Sequence, residues 1–343
     1  MKELSVVIKV HEAAGGEKHQ MHYTIPTVLQ NLYLWDERSL SECEEIAHFI
    51  AAFLPHTFQF TRVEAYTVGI QQHQIALFEW RGTSQGTPCL FALIPGGTVT
   101  LGYDRNQRLV PSEELVCEWQ EYNLEYHGDM VTIDGDLVKD ILPANYKAFS
   151  TYLDNHSLPL RTVTLAPFLI ETVAQEADRL LPPPLVTYFR HKSEWKKDGY
   201  LKYSVRGKHC SIPQRHVASF LKREGFRLPT SDEWEYACSA GSRTLFYWGN
   251  GYFTTEEPSA VPTSRNAFGL EIANDTYQWE YCSDPAMMRG GDGGVTVCGW
   301  AGVLASSLPL ASAYYLRLNE KQINNGVYSP CFRRVLSLAP LLA

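Results

Sequence analysis

The chain has 343 residues, of which 45% are hydrophobic and 20% are charged, as in a globular protein with a sizeable core. A net charge of -8 at pH 7 and the lack of any Lys/Arg run longer than a pair exclude the concentrated basic surface that nucleic acid binding requires. No long apolar stretch occurs, so we expect neither a signal peptide nor a membrane span, and a cytoplasmic location.

The cysteines are scattered along the chain, and none lies in a C-x-x-C pair. This spacing favours neither a zinc site nor a compact disulfide framework. We expect most of them to be buried thiols that pack as small apolar side chains. They are Cys43, Cys89, Cys117, Cys210, Cys238, Cys282, Cys298 and Cys331.

The first predicted elements are a β-hairpin and a helix. Apolar residues recur at alternate positions in 6–10 and again in 21–25, with Gly15-Gly16 between them as the turn. The helix has Ser41 and Glu44 at capping-box spacing and ends before Pro55. Its predicted buried face consists of Ile46, Phe49, Ile50 and Phe53.

Three segments rich in β-branched and aromatic residues predict further strands, at 57–69, 74–80 and 89–104. With the hairpin and helix, they predict a small α+β unit over residues 1–88. Residues 89–343 are predicted to form a second domain. Because Gly, Pro and aromatic residues are frequent there and periodic segments are rare, we expect that domain to be rich in loops.

Two helices are predicted inside the loop-rich part, one on each side of the sequence GFRLPT. The first begins at Ser211, with Gln214 completing a capping box, and ends at Gly225. The second has Thr230 and Glu233 as its capping box. The predicted buried residues are Val217, Phe220 and Leu221 in the first helix, and Trp234, Ala237 and Cys238 in the second.

Eight motifs stand in a fixed order across roughly residues 90–340. They are IPGGTVTLGYD (94–104), RTVTLAPFLIETVAQEADRLL (161–181), GFRLPTSDEWEYACSAG (225–241), FYWGN (246–250), NAFGL (266–270), WEYCSD (279–284), RGG (289–291) and CFRRV (331–335). In order and approximate spacing they resemble the formylglycine-generating enzyme / sulfatase-modifying-factor family. The resemblance implies an irregular α+β fold related to C-type lectins, in which short strands and two helices support long loops.

The resemblance leaves the function open, because the family has several uses and a fold does not determine a function. Some members oxidise a sulfatase cysteine to formylglycine with copper, and others are iron-dependent sulfoxide synthases of ergothioneine-type pathways. Still others mature siderophore chromophores or bind ligands through variable loops. The residues of the site must therefore distinguish these uses.

The copper-dependent reaction needs two thiolates, which in the family follow RGG within a few residues and lie five apart. Soft Cu(I) is held by such ligands. After RGG this chain offers Cys298 alone, and Asp292 stands where the family has a serine. Cys331 stands where the family has the glycine before FR. We therefore do not expect formylglycine generation, and we expect Cys298, like Cys282, to be a buried small residue.

The iron of the family's sulfoxide synthases is bound by three histidines, and ligands on one helix must lie three or four residues apart. His48 and His56 are eight residues apart, which places them about 12 Å apart along a helix axis. His19 and His22 fall on a predicted strand. These spacings are typical of surface or capping histidines.

The family's structural calcium loop is altered in this chain. Tyr277 stands at the position of the loop asparagine, and the loop carries one extra residue. Asn274 and Asp275 are the oxygen ligands that remain, whereas a hard cation needs several. We therefore assign no metal or other cofactor to the chain; copper, iron and calcium stay open as alternatives that the sequence does not support.

The motif residues that are kept are predicted to form buried ion pairs and aromatic packing, which a loop-rich domain needs to satisfy its buried polar atoms. They are Arg227, Trp234, Glu235, Trp248, Trp279, Glu280, Arg289 and Arg333. The preferred interpretation is a pseudoenzyme: a non-catalytic binding or assembly protein that takes a protein or small-molecule ligand at its loops. Residues 1–88 would serve as a unit that docks a partner, with neither nucleic acid nor a membrane involved.

The alternative is a metal- and oxygen-dependent tailoring enzyme, oxidase-like or sulfoxide-synthase-like, with an altered site near Cys298. The segment SAYYLRLN (312–319) matches the place where the family's catalytic loop returns to the pocket, and a Tyr/Arg pair there could bind a carboxylate. An ordinary packed strand explains the same alternation, and a role only within a larger complex is also open. If the chain is an enzyme, the expected site residues are Cys298, Cys331, Tyr314 and Arg317.

Overall fold

The computed structural model describes residues 5–6, 23–82, 88–104, 106, 153–181, 187–189, 209–250, 265–298 and 306–341. Within these ranges the chain is a mixture of short helices and small sheets. The helices are α1 Ile25–Leu29, α2 Leu32–Asp36, α3 Leu40–Phe53, α4 Ala177–Leu180, α5 Gln214–Arg223, α6 Ser231–Ser239, α7 Val295–Cys298 and α8 Glu320–Asn325. Two 3-10 turns lie at Leu308–Leu310 and Ala339–Leu341.

The strands are mostly two to five residues long, and the long ones lie before residue 95. In chain order they are β1 Ser5–Val6, β2 Tyr23–Thr24, β3 Phe58–Val68, β4 Gln71–Trp80, β5 Cys89–Ile94, β6 Gly97–Leu101, β7 Arg161–Leu165, β8 Phe168–Glu171, β9 Gln175–Glu176, β10 Thr187–Phe189, β11 His209–Ile212, β12 Glu280–Tyr281, β13 Met287–Arg289, β14 Leu316–Arg317, β15 Val327–Tyr328, β16 Cys331–Phe332 and β17 Val335–Ser337.

The principal sheet has the antiparallel order β17-β8-β5-β4-β3. Its strand β4, next to the edge strand β3, is buried on both faces: Ile75 and Leu77 belong to one apolar cluster, and Phe78 and Trp80 belong to the other. This follows from the alternation of side chains along a strand. Helices α3 and α5 contribute to the second cluster and α6 to the first, so the sheet lies between two helical layers.

This sheet joins the two sides of the predicted boundary at residues 88 and 89. Strand β4, before the boundary, pairs with β5, after it, and places Leu77 opposite Ala92. Both apolar clusters also contain residues from either side. The division into 1–88 and 89–343 therefore remains a prediction, and these two segments share one hydrophobic interior in the described residues.

A second five-stranded sheet has the order β14-β13-β12-β16-β9. Strands β12 and β16 are parallel and place Glu280 opposite Cys331, whereas β12 and β13 are antiparallel and place Glu280 opposite Arg289. The smaller sheets are β10-β11-β15, β6-β7 and β1-β2. The second sheet therefore brings the WEYCSD, RGG and CFRRV motifs side by side.

The predicted N-terminal elements are confirmed in part. Strands β1 and β2 pair antiparallel, but Ile25, which we expected in the returning strand, begins α1, and residues 7–22 lie outside the described part. The capping box of α3 is formed by Ser39 and Glu42 rather than Ser41 and Glu44. The chain offers the same Ser-x-x-Glu spacing twice, and the earlier copy is the one at the helix start.

The buried face of α3 is shifted from the predicted one. Ile46 and Ile50 are buried as expected, together with Cys43 and Ala47. Phe53 is 59% exposed, and its ring is tilted against the half-buried ring of Phe49 at the helix end, with ring centroids 4.7 Å apart. The strands predicted at 57–69 and 74–80 are confirmed as β3 and β4, and residues 89–104 form two strands, β5 and β6, in different sheets.

The start predicted for α5 was wrong. Ser211 lies in β11, and the helix begins after Pro213 without a side-chain cap. The Gln214 amide does not reach back to close a box, because its Nε2 donates to the carbonyls of Cys282 and Ser283. The predicted end is correct, since Gly225 has a φ of 85°, a left-handed conformation that glycine adopts without strain.

Helix α6 is confirmed in detail. Thr230 accepts from the Glu233 amide, and the Glu233 carboxylate accepts from the Thr230 amide. Trp234, Ala237 and Cys238 are fully buried, as predicted. In the described part of the chain, no helix combines the length and apolar character needed to cross a membrane.

Candidate functional site

Helix α6 carries carboxylates that hold the second sheet through buried ion pairs. Glu235 Oε2 lies 2.7 Å from Arg289 NH2 and 2.8 Å from Arg161 NH2, and its Oε1 accepts from the Gly102 amide. Arg289 also donates to the carbonyl of Tyr314 at 2.6 Å. Each charge is therefore paired and hydrogen-bonded inside the protein, as a buried charge must be.

A second buried pair joins β12 to the chain beyond β16. Arg333 Nε and NH2 lie 2.7 and 3.0 Å from the carboxylate of Glu280, which also accepts from Trp234 Nε1 at 3.0 Å. The neighbouring Arg334 pairs with the buried Glu171 through bonds of 3.0 and 3.2 Å. The prediction of buried scaffold ion pairs is confirmed for Glu235, Glu280, Arg289 and Arg333. Arg227 pairs with Glu233 but is 40% exposed, and Trp248 and Trp279 are half-buried, whereas Trp234 is fully buried.

The loop face is the exposed surface formed by residues 277–279, 293–298 and 328. Tyr277, Val295 and Tyr328 are 49, 55 and 47% exposed. Gly294 has a positive φ, and a Cβ there would lie 2.3 Å from the Tyr277 ring. Glycine at this position therefore lets the aromatic ring lie directly against the backbone.

Cys298 is exposed, so its predicted burial was wrong. Helix α7 turns Thr296 inward, where its amide donates to buried Asp292, and this leaves Cys298 on the outer surface. Cys298 Sγ lies 3.4 Å from the Tyr277 hydroxyl, and this hydrogen bond raises the pKa of Tyr277. Burial also raises the pKa of Asp292.

The four residues predicted for an enzyme site lie in different environments. Cys331 is buried in β16, and burial raises its pKa to about 12. Tyr314 is buried with its ring stacked on His156 at 6.1 Å, whereas Arg317 is exposed on the edge strand β14. Cys298 contacts Tyr277, which is none of the other three.

The candidate metal ligands were tested against the same geometry. The described residues include no group of three or more His, Cys, Asp or Glu that could hold a metal ion. His48 and His56 are both exposed, and His19 and His22 lie outside the described part. Asp275 builds a turn instead, since its carboxylate accepts from the Tyr277 amide at 2.9 Å.

A cleft of about 700 Å³ lies where the N-terminal helices meet the end of α6. Four stretches contribute to its walls: residues 30–36, His73, residues 96–101 and residues 236–243. We call it the junction cleft. Sequence reasoning did not predict this cleft, because these stretches are distant in the chain and none carries a ligand-binding motif.

His73 ties three walls of the junction cleft together. Its Nδ1 lies 2.7 Å from Asp36 Oδ2, and its Nε2 lies 2.9 Å from the carbonyl of Ala240. Asp36 Oδ1 accepts a further bond from the Gln74 amide. Ala240 has a left-handed φ of 48°, and the bond from His73 helps to hold this strained turn at the end of α6.

Comparison with known proteins agrees with the motif order. The profile of a family described as "Sulfatase-modifying factor enzyme 1-like domain" matches residues 87–285. No protein with a curated description matches the chain significantly. The matched range includes β5 to β12 and α6, but it ends before the RGG motif and the loop-face residues 293–298 and 328.

Proposed function

Because the chain belongs to the sulfatase-modifying factor enzyme 1-like family, we propose that it is a divergent, non-catalytic member that binds a protein or small-molecule ligand at the loop face. In this proposal the scaffold is the family's C-type-lectin-like fold, and the protein acts in the cytoplasm. Residues 1–88 serve as the unit that docks a partner. The family assignment supports the scaffold, and the exposed aromatic side chains of the loop face support ligand binding there.

One observation carries the proposal. The charged side chains of the motifs are paired with one another inside the protein, whereas the loop face exposes aromatic and apolar side chains. Glu235 and Glu280 each meet buried arginines, so neither is available to a substrate. Tyr277 and Tyr328 are each about half exposed on the loop face. Exposed aromatic rings supply large contact areas at low entropic cost, which suits a binding surface.

The residues present do not fit the family's copper ion. Copper would need two thiolates side by side, but Cys298 faces the surface next to Tyr277 while Cys331 is held within the second sheet. Residues 299–305 lie outside the described part and contain no cysteine. No step of a copper reaction is therefore assigned to these residues.

The second candidate function is a metal- and oxygen-dependent tailoring enzyme with an altered site at Cys298. The observation that favours it is the contact between the Cys298 thiol and the Tyr277 hydroxyl, which positions an exposed nucleophilic side chain. This candidate requires a metal bound near Cys298 by ligands other than a cysteine pair.

Metal content distinguishes the two candidates. The purified full chain is exposed to Cu(I) or Fe(II) under reducing conditions, desalted and measured by elemental mass spectrometry, with the Cys298→Ser variant alongside. We expect substoichiometric metal in both proteins, and no aldehyde when a sulfatase-type cysteine peptide is added with oxygen. Stoichiometric copper or iron that is lost in Cys298→Ser would overturn the non-catalytic proposal.

A further inference from the structure

The junction cleft contains a buried polar atom that lacks a partner. Tyr236 is 1% exposed and lines the cleft, and its hydroxyl makes no hydrogen bond with any described residue. A buried hydroxyl without a partner costs about 1–3 kcal/mol. Native proteins rarely carry this cost without a ligand or water that removes it.

The cleft also has one cation without a counter-charge. Arg243 is exposed, lines the cleft and donates from NH1 to the carbonyl of Thr100 at 2.8 Å. It forms no ion pair within the described part of the chain. Its planar guanidinium can present two further parallel N–H groups to one anionic group.

The acidic group of the cleft is already engaged. Asp36 gives one oxygen to His73 and the other to the Gln74 amide. His73 in turn meets Asp36 and the Ala240 carbonyl with its two ring nitrogens. Asp36 is therefore held by two hydrogen bonds, and Arg243 and Tyr236 keep N–H and O–H groups with which to meet a ligand.

The other walls are partly apolar. Leu32, Val99 and Leu101 line the cleft, and all three pack on the core cluster that also contains Tyr236. A volume of about 700 Å³ lies in the ordinary range for small-molecule sites, which combine apolar walls with a few polar groups that orient the ligand.

From these contacts we infer that the junction cleft binds a small organic monocarboxylic acid with an apolar body. Its carboxylate accepts from Arg243 and Tyr236, and its body lies against Leu32, Val99 and Leu101. A single guanidinium balances a single negative charge. A dianionic phosphate ester would leave one charge unmatched close to Asp36, so a monocarboxylate fits better.

This site belongs to the chain as a whole and not to the family domain alone. Residues 30–36 and His73 lie before the matched range 87–285, and residues 96–101 and 236–243 lie within it. The inference does not depend on the role of the loop face, because the two sites share no residues. A failure of one proposal therefore leaves the other intact.

The test is a titration of small acids into the purified 343-residue chain, with binding measured by isothermal calorimetry and ligand-observed NMR. The probes are hexanoate and 3-phenylpropionate, each with its neutral amide of the same shape, and phenyl phosphate. The variants are Arg243→Gln and Tyr236→Phe. The matched control is Arg215→Gln, since Arg215 is also exposed and donates NH1 to a backbone carbonyl, that of Asn324 at 2.9 Å, outside the cleft.

We expect at least one acid to bind, and its amide to bind about tenfold more weakly. Arg243→Gln should weaken acid binding about tenfold and Tyr236→Phe about fivefold, while Arg215→Gln leaves it unchanged. Tyr236→Phe should fold as well as the parent, because it removes a hydroxyl that makes no bond. The inference is overturned if neither acid binds better than its amide, if phenyl phosphate binds more tightly, or if the two arginine variants behave alike.

Discussion

The polar side chains of the interior around α6 are buried and paired, whereas those of the loop face lie at the surface. Inside, Glu235 and Glu280 are each met by an arginine, and all of these side chains are almost fully buried. On the loop face, Tyr277 and Cys298 contact each other at the surface. The buried motif charges therefore hold the scaffold together, whereas the loop face leaves polar and aromatic side chains at the surface.

The largest expected effect comes from breaking a buried ion pair. Replacing Arg333 with Met keeps much of the side-chain volume but leaves the Glu280 carboxylate buried without its cation. We expect the free energy of unfolding to fall by about 3–5 kcal/mol, measured by urea denaturation. Arg62→Met, which breaks an exposed pair with Glu64, should cost less than about 1 kcal/mol.

The effect of leaving the Glu280 charge unpaired can be separated from the effect of lost packing at Arg333. Adding Glu280→Gln to Arg333→Met removes the uncompensated charge and should recover part of the stability. If Arg333→Met costs no more than Arg62→Met, the interior pair contributes no more than a surface pair, and the contrast between the two regions fails.

The next effect is a loss of stability at alkaline pH. Burial raises the pKa of Cys238, Cys282 and Cys331 from an ordinary value of 9.0 to about 12. Above pH 9 the unfolded chain releases these protons more readily than the folded protein, so the stability is full below pH 9 and is lost as pH rises toward 12. The urea midpoint should therefore fall steeply between pH 9 and pH 10.5.

The contribution of one thiol can be isolated. Cys282→Ala should flatten the alkaline fall in the urea midpoint relative to the parent chain, because it removes one of these buried thiols. A slope equal to that of the parent chain would show that the Cys282 thiol does not contribute to the alkaline loss.

A smaller effect is expected from the capping box that starts α6. Thr230→Ala removes the acceptor of the Glu233 amide, and we expect a loss of about 1 kcal/mol in the free energy of unfolding. Ser39→Ala removes the corresponding acceptor from α3 and serves as the matched variant. A loss at Thr230 well above that at Ser39 would show that the cap also supports the ion pairs carried by α6.

The smallest effect on stability is expected at the loop face. Cys298→Ser should change the free energy of unfolding by less than about 0.5 kcal/mol, because the side chain is exposed. Among the described cysteines, we expect Cys298 to react fastest with a thiol reagent at pH 8, because it is exposed whereas Cys43, Cys238, Cys282 and Cys331 are buried. Cys298→Ser should therefore abolish this fastest reaction. Unchanged fast labelling would show that Cys298 is protected in solution.

Local sequence patterns predicted the structure correctly where the stabilising contacts are between residues close together in the chain. The capping box of α6, the left-handed end of α5 at Gly225 and the strands β3 and β4 followed from short-range spacing. The starts of α3 and α5 were misplaced, because a Ser-x-x-Glu or Ser-x-x-Gln spacing does not occur only at helix starts. Ser41 lies inside α3, and Ser211 lies in strand β11. The side-chain amide of Gln214 donates hydrogen bonds to the carbonyls of Cys282 and Ser283, which are distant in the chain, and so does not close a capping box.

The sequence by itself determined the family, the motif order and the set of charges that must be buried in pairs, because these depend on residue identity and spacing along the chain. Only the tertiary structure decided that Cys298 faces solvent, that Cys331 lies apart from it in the second sheet, and that Asp36, His73 and Ala240 meet at the junction cleft. The reason is that burial and contact between distant segments depend on how sheets and helices pack, and no local pattern encodes which side chains that packing brings together.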